Sequence, residues 1–340
     1  MFTEALLVAF LSTAVRACTG TISSLTDVTA ASACTTINVN SFTVPAGQTF
    51  ALTSLLAGTT INILGDITFG EKVWAGPLFS ISIIICIITG DIVTVNGNGH
   101  TFNGNGQFYW NLKVLNSPAQ AFSIDNSAPL IISGITIDDS LGDQANSMSG
   151  GAPAGANTDG FDVGNQAPLT ISNCTVKNQD DCVAINSGTN VIFTGNHCSG
   201  GHGISIGSID TGDIVSNITI SNNVITSGAN GLRIKTVATA TSATVSGVTY
   251  SGNTVSGVTQ FGLLIDQSYP ATLGTPGSGV IISGINFVGT NTFTIASGVV
   301  PVAVNCGSGS CQGTWNWSGL KTSGGAANKI NYSGITGYSG

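Results

Sequence analysis

The chain has 340 residues, of which only 7% are charged, and its formal net charge is −8 with a pI near 4.5. It contains 46 glycines and has a mean hydropathy of +0.36. This composition excludes a helical bundle and a disordered chain, and the acidic balance argues against a nucleic-acid partner. We therefore expect an all-β protein.

The first 17 residues have the features of a secretory signal. An apolar run over 5–11 is followed by the small residues Val15 and Ala17, although Glu4 stands where a positive charge is usual. We expect cleavage after Ala17, which leaves 18–340 as one secreted, extracellular domain. The later apolar run from Ile81 to Ile88 is too short to span a bilayer, which takes ~20 residues, so no membrane association is expected.

Short β-branched segments recur along the rest of the chain. One series begins at residues 160, 182, 203, 231 and 262, and a second series interleaves with it and ends each time in Asn or Gly. The starts of the first series are 22, 21, 28 and 31 residues apart. Such spacing is typical of a solenoid with stacked coils. We predict a right-handed parallel β-helix in a single domain, without a linker.

The scarce charges lie at equivalent positions of these segments. The residue before each strand of the first series is, in order, Asp159, Asp181, His202, Asn230 and Phe261. In a β-helix these positions form one column with neighbours roughly 4.8 Å apart. A second column holds Asp162 and Arg233, with Ala184 and Ser205 between them, and Lys235 follows on the same strand face. All these side chains should meet at one site.

Two adjacent residues challenge that arrangement. Asp180 and Asp181 are consecutive, and in a regular strand their side chains would point to opposite faces. Both can serve one site only if the chain bends there. Asp138 and Asp139 are also consecutive, but such a pair in a glycine-rich loop is usually turn chemistry or a solvated edge, and we interpret it so.

The predicted cluster favours hydrolysis of an acidic polysaccharide. Converging carboxylates repel one another, so at least one should keep a proton and act as a general acid. Glycoside hydrolysis uses a protonated and an ionised carboxyl on opposite sides of the bond that is cut. Arg233 and Lys235 would then bind a substrate carboxylate. No metal or cofactor is expected.

The segments NTDGFD, QDDC, GHGISIGS and RIK, in that order and spacing, resemble the polygalacturonases of glycoside hydrolase family 28. The resemblance covers residues 18 to 340 except the stretch 80–115. It implies hydrolysis of internal α-1,4 bonds of de-esterified pectin with inversion, by a monomer. It also implies that Asp180 is the general acid and that Asp159 and Asp181 activate water. By the same resemblance His202 tunes the acid, and the substrate is bound by Arg233, Lys235 and Tyr269.

The resemblance also suggests disulfides. It pairs Cys18 with Cys34, Cys182 with Cys198, and Cys306 with Cys311, and it leaves Cys174 as a buried free thiol. Glycosylation is expected at the sequons of Asn217, Asn316 and Asn331, since we place the fourth, at Asn173, on a strand.

Some alternatives stay open. Two roles fit Asp162 equally well, which are an ion pair with Arg233 that shapes the site and a contact with the substrate. Exo-action, a rhamnogalacturonan substrate, and a non-catalytic pectin-binding solenoid also fit the residues. Residues 80–115 depart from the family, because they contain the surplus apolar run and lack about one coil between Trp110 and Asn111. We interpret this stretch as an imperfect gene model or a degenerate copy.

Overall fold

The computed structural model describes residues 18–56, 58–70, 79–83, 93–96, 102–103, 113–117, 119–127, 129–147 and 149–340. The predicted signal over 1–17, Cys86 and Trp110 lie outside the described residues. Helical structure in the described part comprises two 3-10 turns, Leu25–Asp27 and Ser140–Asp143, and the one-turn helix α1, Val28–Ala31. No helix in this part of the chain is long and apolar enough to cross a membrane.

Strands dominate the described residues. In the first half of the chain they are β1 (Thr19–Ile22), β2 (Thr36–Val39), β3 (Phe42–Val44), β4 (Phe50–Leu55), β5 (Thr60–Ile63), β6 (Ile67–Phe69), β7 (Phe79–Ile83), β8 (Val93–Asn96), β9 (Phe102–Asn103), β10 (Lys113–Leu115), β11 (Phe122–Ile124), β12 (Leu130–Ser133), β13 (Thr136–Asp138), β14 (Phe161–Gly164), β15 (Leu169–Ser172) and β16 (Thr175–Asn178).

The remaining strands are β17 (Asp181–Thr194), β18 (His197–Gly200), β19 (Gly203–Ile209), β20 (Ile214–Ser221), β21 (Val224–Thr226), β22 (Asn230–Val237), β23 (Ala243–Ser251), β24 (Thr254–Ser256), β25 (Phe261–Tyr269), β26 (Val280–Val288), β27 (Asn291–Ile295), β28 (Val300–Asn305), β29 (Cys311–Gln312), β30 (Trp315–Asn316), β31 (Leu320–Gly324), β32 (Lys329–Ile330) and β33 (Ile335–Thr336).

Every described strand pairing is parallel, and the strands of successive coils stack on three faces. Face 1 includes β14, the start of β17, β19, β22, β25 and β28. Face 2 includes β15, the end of β17, β20, β23 and β26. Face 3 includes β13, β16, β18, β21, β24 and β27. The predicted right-handed parallel β-helix is confirmed.

The interior is a set of stacked apolar columns. Inward positions of face 1 pair from coil to coil in strict register and are at most 1% exposed, as in Phe161, Val183, Ile204, Leu232, Leu263 and Val302. Trp315 and Trp317 are fully buried near the carboxyl end of the stack. Each coil therefore covers its neighbour's apolar surface, which stabilises the solenoid.

Buried asparagines form a ladder at one corner of the successive coils. At the corner between faces 2 and 3, the Nδ2 of Asn196, Asn223 and Asn253 donates to the Oδ1 of the next asparagine, at 3.1, 3.0 and 2.9 Å. The last acceptor is Asn291, and all four side chains are at most 1% exposed. The ladder supplies the hydrogen bonds that a buried polar corner requires.

The solenoid is uneven around the anomalous stretch. On face 2, β8 pairs directly with β12, whereas on face 3 the strand β10 lies between β9 and β13 and pairs with β13. Only residues 104–112 connect β9 to β10, although both lie on the same face. At the level of β10, face 3 thus has a strand with no counterpart on face 2 among the described residues.

The cysteine predictions hold where the structure describes them. Cys18–Cys34, Cys182–Cys198 and Cys306–Cys311 are disulfides, and Cys174 is a buried free thiol. The placement of Asn173 on a strand is wrong. β15 ends at Ser172, and Asn173 is an exposed turn residue with φ of 55°, a conformation that asparagine tolerates.

Candidate active site

The second predicted column of polar residues is present on face 1. Asp162 pairs with Ala184, Ala184 with Ser205, and Ser205 with Arg233. Lys235 lies two residues beyond Arg233, on the same side of β22. The coil repeat therefore brings together charges that are far apart in sequence.

The first predicted column is shifted by one residue. Asp181 pairs with Gly203 and Val183 pairs with Ile204, so Cys182 is an extra residue that forms a bulge. The amide of His202 consequently donates to the carbonyl of Asp180, at 2.9 Å, which makes Asp180 and not Asp181 the neighbour of His202. The bulge is the bend that the consecutive carboxylates require.

Asp181 is fully buried and ion-paired on both oxygens. Arg233 Nη2 donates to its Oδ1 at 2.6 Å, and Lys235 Nζ donates to its Oδ2 at 2.9 Å. The hydroxyl of Ser205 also donates to Oδ1 at 2.6 Å and accepts from Arg233 Nε at 3.0 Å. Asp162 is therefore not the carboxylate that pairs with Arg233 among the described residues.

Asp180 contacts the histidine. Its Oδ1 lies 2.9 Å from His202 Nδ1 and accepts the backbone N–H of Asp181 at 2.8 Å. Burial on its own raises the pKa of Asp180, but the hydrogen bond and charge of His202, together with the Asp181 amide and Lys235, lower it below its ordinary value. In the ligand-free protein this carboxyl is therefore ionised.

Asp159 and Asp162 have the opposite environment. Burial, followed by repulsion from Asp180, Asp162 and Asp181, raises the pKa of Asp159 to about 8. Burial and repulsion from Asp181 and Asp180 raise the pKa of Asp162 to about 6. These directions agree with the expectation that the cluster keeps a proton, and the larger rise in pKa makes Asp159 the carboxyl that holds one over the wider pH range.

These raised pKa values make folding depend on pH. Between the ordinary value of 3.8 and the folded value of about 8, Asp159 binds more protons in the folded than in the unfolded chain. The free energy of unfolding must therefore fall as pH rises through this interval. We expect the melting temperature to decline from about pH 4 to 8 and the decline to be shallower in Asp159→Asn. Parallel melting curves of both proteins at each pH test this, and identical slopes would contradict it.

Lys235 also contacts the predicted sugar-binding tyrosine. Its Nζ lies 5.1 Å from the centre of the Tyr269 ring, within the range of a cation–π interaction. The half-buried ring thus stands beside the basic pair.

Ligand atoms of Asp180, Asp181 and His202 lie within 4.8 Å of one another, which is a spacing that a cation could use. Arg233 and Lys235 already neutralise Asp181, however, and we assign no metal to the cluster.

The comparisons with known proteins agree with this geometry. Residues 34–113 and 110–337 match the glycosyl hydrolases family 28. The chain belongs to glycoside hydrolase family 28. The two matched segments overlap at residues 110–113.

Several relatives of this family 28 protein have been named for their activity. The chain is 38% identical to endopolygalacturonase I of Aspergillus aculeatus, over 91% of this chain and 86% of the relative. It is 42% identical to a polygalacturonase of Penicillium janthinellum, over 88% and 84%. A solved structure of endopolygalacturonase I from Stereum purpureum, complexed with two galacturonates, superposes with a TM-score of 0.79 at 42% identity, covering 93% and 98% of the chains.

Sequence reasoning missed one contact of the family 28 site and the burial of one carboxyl outside it. Ser205 was visible only as a member of the second column, and its contact with Asp181 needs side-chain geometry. The turn interpretation holds for Asp138, whose Oδ1 accepts the amide and the hydroxyl of Ser140, and Asp139 directly precedes the 3-10 turn, but Asp139 does not lie at a solvated edge. It is 1% exposed, its Oδ1 accepts the amide of Ser117 at 2.7 Å, and burial raises its pKa to about 7.

Proposed function

We propose that this protein is an endo-acting polygalacturonase that hydrolyses internal α-1,4 bonds of polygalacturonate with inversion. One observation carries the proposal. The bulge at Cys182 brings Asp180 and Asp181 to the same site as His202, Arg233 and Lys235. The names of the family 28 relatives support the same reaction.

Asp180 would donate the proton to the leaving oxygen, and Asp159 and Asp181 would hold the attacking water. In the ligand-free protein the proton lies on Asp159, so it must move when substrate binds. A water that donates hydrogen bonds to Asp159 and Asp181 favours their ionised forms. The glycosidic oxygen favours the protonated form of Asp180, which alone can donate to it. Both contacts shift the proton from Asp159 to Asp180, as an inverting mechanism requires.

Arg233 and Lys235 would bind a galacturonate carboxylate without releasing Asp181. Arg233 uses only part of its donors on Asp181 and Ser205, and Lys235 uses one on Asp181. Their remaining N–H groups are available to an incoming carboxylate. The basic pair thus orders the catalytic carboxylate and recognises the acidic sugar, with Tyr269 as a further contact. The role of Asp162 is substrate contact.

We also propose that the protein is secreted as a monomer. Three disulfides suit an oxidising compartment. The predicted signal over 1–17 would direct export.

Purified protein is expected to release reducing ends from polygalacturonate at mildly acidic pH without added metal. Endo-action predicts that the viscosity of the solution falls well before most bonds are cut. The first products should carry the β-anomer, which proton NMR detects before mutarotation. Products that absorb in the ultraviolet would show a lyase, and release of monomer alone would show exo-action. Activity only on rhamnogalacturonan would reassign the substrate, and no turnover would indicate a pectin-binding solenoid.

A further inference from the structure

Asp266 occupies a position on face 1 next to the catalytic cluster. In the β-ladder it is the partner of Lys235 on one side and of Asn305 on the other. A carboxylate at this place could face the substrate, yet Asp266 is only 3% exposed. The chain that follows it, residues 268–274, turns back and covers it.

That covering turn is fastened to the Asp266 carboxylate at both ends. Near its start, Oδ1 accepts the amide of Ser268 at 3.0 Å and its hydroxyl at 2.7 Å. Near its end, Oδ2 accepts the amide of Leu273 at 2.7 Å. Asn305 Nδ2 adds a bond to Oδ1 at 2.9 Å and also donates to the carbonyl of Gly274 at 3.0 Å. One buried carboxylate therefore determines the shape of the turn.

The turn is also held by the Ser268 hydroxyl, which donates to the carbonyl of Ala271 at 3.3 Å and accepts the amide of Gly274 at 2.9 Å. The side chain of Leu273 packs on an apolar cluster that lies outside the main core, formed by Phe261, Leu264, Val300 and Ala303. Leu264 and Ala303 continue the column of Arg233 downstream. The turn thus covers the face just beyond the basic pair.

Tyr269 is the last residue of β25 and leads directly into the turn, and its carbonyl accepts the amide of Ala238 at 2.9 Å. Its ring lies 5.1 Å from Lys235 Nζ, which itself lies 2.9 Å from Asp181 Oδ2. A series of contacts therefore runs from Asp266 through the turn and Tyr269 to Lys235 and Asp181. The turn is therefore a second support for Tyr269, beside the pairing of its backbone with Val237.

We propose that Asp266 is a positioning residue for substrate binding. It holds the turn 268–274 so that the Tyr269 ring stays over Lys235, and it acts through Tyr269 without touching the reacting atoms. This inference rests on the proposed polygalacturonase function.

Asp266→Asn tests it with a small change. The amide oxygen can replace Oδ1, but the new NH2 group then faces the Leu273 amide, so two donors meet and that end of the turn is released. We expect KM for polygalacturonate to rise roughly tenfold, the effect of losing one buried hydrogen bond to a charged group, with kcat within about twofold. Ser268→Ala removes only the hydroxyl bonds and should raise KM less.

The neighbouring residue supplies a matched structural control. Gln267 is fully buried, points inward, and bonds to Gly307, Ser310 and Val280. Gln267→Met should lower the melting temperature and leave KM unchanged. If Asp266→Asn fails to fold, the KM of Ser268→Ala is compared with that of Gln267→Met instead.

A double-mutant cycle gives the decisive result. If Asp266 acts through Tyr269, Asp266→Asn should raise KM in the wild-type background and have no effect on KM in Tyr269→Ala. Equal, additive increases in the two backgrounds, or a loss of stability with KM unchanged, would overturn the proposal.

The dissociation constant of trigalacturonate, measured by calorimetry in the same variants, distinguishes a failure of the positioning role from a failure of the proposed function. An inactive wild type that binds it, with binding weakened by Asp266→Asn, would refute the function and retain the positioning role.

Discussion

Asp180→Asn is expected to lower kcat on polygalacturonate by about 10²–10⁴-fold, because the amide keeps the shape of the side chain but cannot supply a proton. KM should stay close to the wild-type value, since the basic pair and Tyr269 are untouched. Initial rates of reducing-end release, with KM and kcat determined separately, measure both effects.

The control for this variant is Asp210→Asn, which makes the same change in an exposed turn and should leave both constants unaltered. If Asp180→Asn kept more than about a tenth of the wild-type rate, general acid catalysis by Asp180 would be untenable. A melting curve of each variant excludes unfolding as the cause of lost activity.

Arg233→Ala is expected to destabilise the protein as well as inactivate it. Asp181 is 0% exposed, and removal of Arg233 leaves its buried charge with Lys235 alone. Breaking a buried ion pair costs about 3–5 kcal/mol, and the lower end applies here because one cation remains. Denaturant unfolding should show this loss, and kcat should fall together with a rise in KM.

Lys329→Ala removes an exposed positive charge near the end of the chain and should change neither stability nor activity. If Arg233 served only to bind substrate, Arg233→Ala would have a different effect. In that case KM would rise while kcat and the free energy of unfolding stayed at wild-type values, and the structural role of Arg233 would be refuted.

The sequence was sufficient for the fold because a β-helix repeats its pattern in every coil. The column from Asp162 to Arg233 follows from that repeat, and it is present in the structure. The bulge at Cys182 could not be predicted, because one extra residue in a strand leaves the apolar pattern of its neighbours unchanged. The partners of Arg233 also escaped prediction, since Asp181 lies 52 residues away and two coils apart, where side-chain length decides the contact.

The uneven stretch is best explained by a lost coil. We propose that the strands which should accompany β10 on faces 1 and 2 are missing between β9 and β10. The direct pairing of β8 with β12 supports this proposal, as does the break in the family match at residues 110–113. The apolar run from Ile81 to Ile88 stays a predicted insertion, and its residues 84–88 lie outside the described residues.

The proposed roles of Asp180 as general acid and Asp159 as an activator of water are tested most directly on a galacturonide whose phenolic leaving group needs no protonation. We expect Asp180→Asn to regain most of its activity on this substrate, whereas Asp159→Asn, which lacks a group that activates water, should stay inactive. Recovery by Asp159→Asn with none by Asp180→Asn would refute these roles and make Asp159 the acid.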